Sequence, residues 1–207
     1  LDSLGPRCRF QGTVWVQHVE QSWDGEIAGR FLDVDLDSLV APFPHKLSGT
    51  AEIVLSHTSF RQGKLVEAAG ALSSNGGTIS VSLLTAAAES LKLGANVSHD
   101  EQADTLLGYQ KLAFGFQVDG SGLQLSGLCD ERQEGALLVG ESGSLLLDSR
   151  GQLIPSIALA RALVPQSELQ VPATTATEQI LRVFPLPSPT LPPSGTARRP
   201  WSTVKMR

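Results

Sequence analysis

Three aspartates at alternate positions, Asp33, Asp35 and Asp37, have the residue type and spacing that could hold a cation. Alternating carboxylates open a calcium loop, but that loop also needs an internal Gly and a distal bidentate Glu. This stretch has neither, and its period of two fits the solvated face of a strand. The densest ionisable group is His99-Asp100-Glu101 with Asp104. Beside a serine it would make a hydrolase site, but a helix start also attracts acids through its macrodipole. The other histidines, His18, His45 and His57, read as isolated surface or loop residues, and none forms the i, i+4 pair of a helical zinc site. Gly120-Ser121-Gly122 falls short of a nucleophile elbow and lies in a turn. The Gly-rich runs at 75–77 and 140–143 lack the Lys-Ser/Thr that a phosphate loop requires. No catalytic residue, metal site or cofactor is expected, and the chain reads as a non-enzyme.

Those residues sit on a chain of 207 residues, 41% apolar but only 5% aromatic. It carries a net charge of −5, of which the last 23 residues hold four cations and no acid. An acidic body argues against nucleic acid, whose binding needs a basic surface to release counterions. Cys8 and Cys129 are either a long-range disulfide or two unrelated buried thiols. No apolar run approaches the ~20 residues of a membrane-spanning helix. The start at Leu1 shows no charged n-region and no apolar h-region, so a processed product or an excised piece is expected. Asn96-Val97-Ser98 matches a glycosylation acceptor.

The organising stretch is residues 112–128. Leu112, Phe114, Phe116 and Val118 share one face at period two, with Ala113, Gly115 and Gln117 opposite. Asp119-Gly120 is a hairpin signal, because Gly tolerates the positive φ of such turns. Upstream, strands are predicted at 8–19, 26–36, 49–56, 64–72 and 78–80. Turns are predicted at Ser22-Trp23-Asp24-Gly25, at 59–63 and at 73–77. Ile53 and Leu55 lie on the apolar face of the third strand. A short helical turn starts near Asp37. Helices follow at 83–93, capped by Ser80 or Ser82 and stopped by Gly94, and from the Ser98-His99-Asp100-Glu101 capping box to about Leu107. Residues 132–135 form a turn, 136–139 and 144–147 one more strand pair. Pro155 opens a helix at 156–163, and a second capping box opens one at 176–184. From Pro185 on, six prolines in 23 residues exclude a packed element, and that tail is expected to be disordered. The expected organisation is therefore a β-rich domain, 1–184, and a Pro-rich basic tail, 185–207. Trp201 beside Arg198 and Arg199 could touch an anionic membrane surface or remain a solvated terminus.

The fold class is mainly β, a β-rich α+β chain. It is a curved antiparallel meander, groove-like or taco-like, with a few short helices over part of it. Its apolar face must be covered by helices or must line a channel for acyl chains; periodicity does not choose.

Three stretches carry a family cadence. They are Phe31–Leu39 with Leu47-Ser48-Gly49-Thr50-Ala51-Glu52-Ile53, Leu65–Leu72 with Gly76-Gly77-Thr78-Ile79, and 106–116 with Gly122-Leu123-Gln124-Leu125. Together they resemble the C-terminal region of AsmA-like and TamB-like bacterial envelope proteins, over roughly residues 10–184. The resemblance implies a β-groove, a periplasmic location, an inner-membrane anchor upstream of Leu1, and a non-enzymatic role in phospholipid transport or outer-membrane biogenesis. A Pro-rich basic tail and a short chain depart from that pattern. On this reading Ile53, Leu55, Leu112, Phe114, Phe116 and Val118 face lipid, the partner is a phospholipid or other acyl-chain lipid, and an envelope protein partner is a further possibility. Two rivals stand beside it. One is a structural or scaffolding β-module, its face closed by its own helices, binding a protein partner at a sheet edge. The other is a hydrolase around His99 and Asp104.

Overall fold

The computed structural model describes residues 4–19, 22–96, 102–129, 134–149 and 151–164. Strands β1 (Arg9–Val19), β2 (Ser22–Asp35), β3 (Thr50–Arg61) and β4 (Lys64–Ser74) form an antiparallel meander. Short β5 (Gly77–Ser80) follows, and the long β7 (Leu106–Asp119) pairs with both β4 and β5 along one edge. Its other edge takes β8 (Gly122–Gly127) at one end and β9 (Ala136–Gly140) at the other. β10 (Gly143–Leu147) and the two-residue β6 (Gly94–Ala95) complete one open sheet. Helices α1 (Leu36–Val40), α2 (Val81–Leu91) and α3 (Ile157–Leu163) are short. The mainly β, open antiparallel architecture expected from the alternation is what forms.

Register shifts mark irregularities in β2, β3 and β7. A bulge adds a residue on one strand, bends it and increases its twist. Asp33 sits in the irregularity between Phe31 and Val34, with φ 56, and pairs with Arg9 at 2.6 Å. Asp35 accepts from the Asp37 amide and the Ser38 hydroxyl as the N-cap of α1. The aspartate series is thus one bulge, one cap and one first-turn residue, not the face of a strand. Its alternation broke because the bulge and the helix start interrupt the pleat.

Other expectations are corrected by pairing. Ser22–Gly25 is strand, not turn, because those residues pair with Val16–Val19. Ser73 and Ser74 also belong to a strand, paired with Ala113 and Leu112. The helix expected to reach Leu107 does not: Leu106 and Leu107 start β7 against Ser80 and Ile79. Strand pairing overrides the local capping pattern there. α2 is capped by Ser80, which accepts from the Leu83 amide, but it ends at Lys92 in the left-handed conformation, and Gly94 enters β6. In the central hairpin the positive φ belongs to Gly122, at +148°, rather than Gly120. The Asp119 carboxylate closes that turn by accepting from the Ser121 amide and hydroxyl and from the Gly122 amide. Those bonds hold its pKa below the usual value. The capping box at 98–101, the helix at 176–184 and the 184/185 boundary with its tail lie outside the described residues.

The core sits on one face of the sheet. Val34, Ala51, Leu72, Leu112, Val118, Leu123 and Leu138 join Leu83, Leu84 and Leu91 of α2 and Ala158 and Ala162 of α3 in one buried cluster. Ala113, on the reverse face of β7, forms a small second cluster with Cys129 and Ala136. Tyr109 locks the loop before β3: its hydroxyl donates to the Ser48 carbonyl at 2.7 Å and meets the Ser74 hydroxyl at 3.2 Å. Gly77 must be glycine there, because a Cβ would lie 2.0 Å from the Ser48 oxygen.

Candidate functional site

Directly paired residues in antiparallel strands point to the same side of the sheet. Ile53 pairs with Leu72, and Leu72 with Phe114. Leu55 pairs with Gly70, and Gly70 with Phe116. Phe116 in turn pairs with Leu125, and Val118 with Ala68 and Leu123. All six sequence-predicted residues therefore share one face. They do not share one environment. Leu112 and Val118 are buried in the core and cannot line a groove. Ile53, Leu55, Phe114 and Phe116 remain half-buried.

Glycines shape this face. A Cβ on Gly70 would lie 2.1 Å from the Val54 oxygen and 2.9 Å from Phe116 Cζ, so the phenyl ring lies over the space a side chain would fill. Phe10 does the same beside Gly12 and Gly29, and its ring packs on Phe31 with centroids 4.8 Å apart. Rings laid over glycine gaps cover exposed backbone and smooth the surface.

The helices cover only part of the sheet. β1 is exposed from Gln11 to Val19, and Val14 and Val16, on the same face as Phe10, are 53% and 57% exposed. Trp15 and Trp23 are also exposed, and the Trp23 ring meets His18 edge-on at 4.7 Å. A separate cleft of about 690 Å³ opens between α2 and α3, walled by Leu153, Ile154 and Ile157 and rimmed by Glu89, Lys92 and Arg161. None of the six predicted residues lines it. Phe116 borders a smaller cleft of about 360 Å³ with Gly70, Gln117 and Gln124.

Several described ionisable residues are held in structural contacts. His57 binds Glu67 at 2.6 Å. His45 is not a surface histidine: it is buried, with Nδ1 3.1 Å from the Ser82 hydroxyl, and Ser82 in turn donates to Ser80. Burial lowers its pKa and the Ala162 carbonyl opposes that shift. Among the described residues no carboxylate joins this part-buried His–Ser pair, which lies at the start of α2. Sequence spacing could not find it, because Ser82 is 37 residues away. Tyr109 has its pKa raised by burial, offset in part by Ser74. Among the described residues no group of His, Cys, Asp or Glu could hold a metal ion. His99 and its neighbours to Glu101 lie outside them. Cys8 packs against the main cluster, whereas Cys129 lies in the second, its thiol donating to the Leu137 carbonyl at 2.8 Å and accepting from the Ala113 amide. No described helix is long and apolar enough to cross a membrane.

Comparison with family models, curated proteins and solved structures found no match.

Proposed function

We propose that this chain is a non-enzymatic, lipid-contacting β-sheet protein of a bacterial envelope, acting in phospholipid transport or outer-membrane biogenesis. One observation carries the reading. The apolar face continues past its helical cover, so Ile53, Leu55, Phe114 and Phe116 stay half-buried and Val14 and Val16 stay bare. Water against such a surface is costly, and an acyl chain laid along it recovers about 25 cal/mol per Å² of apolar area covered. The cadence shared with AsmA-like and TamB-like proteins supports the same reading and a periplasmic setting. The experiment offers a fluorescent phospholipid to delipidated protein. Saturable uptake is expected; no uptake at any concentration ends the proposal.

The edge of β1, which no other described strand pairs, favours a second mode of contact, a strand-to-strand partner, which is compatible with the first.

A further inference from the structure

Among the described residues, β1 is an edge strand that pairs with β2 alone. Its pairing with β2 runs in unbroken register from Arg9 to Val19. No proline and no charged residue occurs from Phe10 to Gln17. Natural edges are normally protected by charges, prolines, bulges or shortness, because a bare edge pairs with another strand.

The direction of the free backbone groups follows from β2. A Cβ on Gly29 would meet the Gln11 oxygen at 2.5 Å, and one on Gly25 the Trp15 oxygen at 2.9 Å. The carbonyls of Gln11 and Trp15 thus point toward β2. Peptide groups alternate in direction along an antiparallel strand. Phe10, Gly12, Val14, Val16 and His18 therefore direct their N–H and C=O groups outward.

We infer that this edge pairs with the β1 edge of a second copy of the chain, antiparallel, about a two-fold axis at Val14. In that register Val14 faces Val14, Gly12 faces Val16, and Phe10 faces His18. Every outward group finds a partner, giving about ten backbone hydrogen bonds. Val16 lands beside Gly12, whose gap the Phe10 ring covers, so the valine comes against that ring. The two Arg9 side chains come to opposite ends of the seam, about 33 Å apart at 3.3 Å per residue, well beyond the screening length. A parallel seam would set them side by side. The other edges are the two-residue β6 and the six-residue β8, the latter bridged by Ile154, and both are too short to match eleven residues. Head-to-tail growth is thereby disfavoured, and a closed, isologous pair is the arrangement that fits. The pair would join two open apolar faces into one continuous sheet.

The test is sedimentation equilibrium of the full chain, with amide hydrogen exchange read residue by residue. The expected mass at high micromolar concentration is twice 21.9 kDa. Protection of the Gly12, Val14, Val16 and His18 amides should rise with concentration, while Thr13 and Trp15, already bonded to β2, should not change. Val14→Lys, which sets two cations together at the axis, should shift dimerisation at least tenfold weaker with an unchanged circular dichroism spectrum. A monomeric mass throughout overturns the inference. So does a dimer whose outward β1 amides gain no protection. If the lysine variant misfolds, the exchange pattern of the unaltered protein decides alone.

Discussion

Phe116→Ala and Leu112→Ala separate ligand contact from folding, because the two residues share a face but not an environment. Leu112 is 8% exposed. Truncating a buried leucine costs about 2–5 kcal/mol through lost transfer energy and the cavity left behind. For a chain of this size that lowers Tm by roughly 2–4 °C per kcal/mol, or about 10 °C in all. Phe116 is half-buried, so about half of a full Phe→Ala loss applies, on the order of 2 kcal/mol. A phenylalanine presents 150–250 Å² in total, and on the order of 40 Å² of this one remains open to a ligand. At 25 cal/mol per Å² that area is worth about 1 kcal/mol, a roughly fivefold loss of phospholipid affinity. Urea denaturation gives stability, and fluorescent phospholipid titration of the folded fraction gives affinity. The expected result is a larger stability loss for Leu112→Ala and a larger affinity loss for Phe116→Ala. Equal affinity losses, or an affinity that simply follows stability in both variants, would refute the assignment of the open part of the face to ligand contact.

Two further outcomes follow from buried polar groups. Burial lowers the His45 pKa below 6.5, so the unfolded chain binds more protons between the folded pKa and 6.5. The stabilisation is complete above pH 6.5 and is lost as pH falls through that window; the urea midpoint should drop from pH 7.5 to pH 5.5, and less steeply in His45→Phe. Tyr109→Phe removes the donor to the Ser48 carbonyl and should cost about 1–2 kcal/mol, measured by urea denaturation, without changing phospholipid uptake.

Local periodicity carried much of the architecture. The alternation at Leu112, Phe114, Phe116 and Val118 is a strand with those residues on one face, because pleating fixes side-chain direction within the segment. Ser80 and the apolar spacing from Leu83 to Leu91 likewise mark α2 locally. What could not be read is non-local. β4 pairs with β7 across more than thirty intervening residues, and that partnership sets where the long strand lies. Leu106 and Leu107 follow a capping pattern but become strand because β5 is available beside them. Ser22–Gly25 has turn composition, yet pairing with Val16–Val19 holds it extended. His45 looked solvent-facing because its burial depends on Ser82 and on the chain near Ala162. The candidate face was legible as a face, but its division was not. Leu112 and Val118 are closed into the buried core while Phe114 and Phe116 stay partly open, and Val14 and Val16 carry the same alternation out to the exposed edge strand.

Side-chain alternation along β7 makes the central claim testable one residue at a time. A photo-crosslinking phenylalanine analogue placed at Phe116 faces the proposed ligand, whereas the same analogue at exposed Gln117 faces away. With bound phospholipid, the account predicts lipid adducts from position 116 and none above background from position 117. Adducts from 117 alone, or equal yields from both, would contradict it.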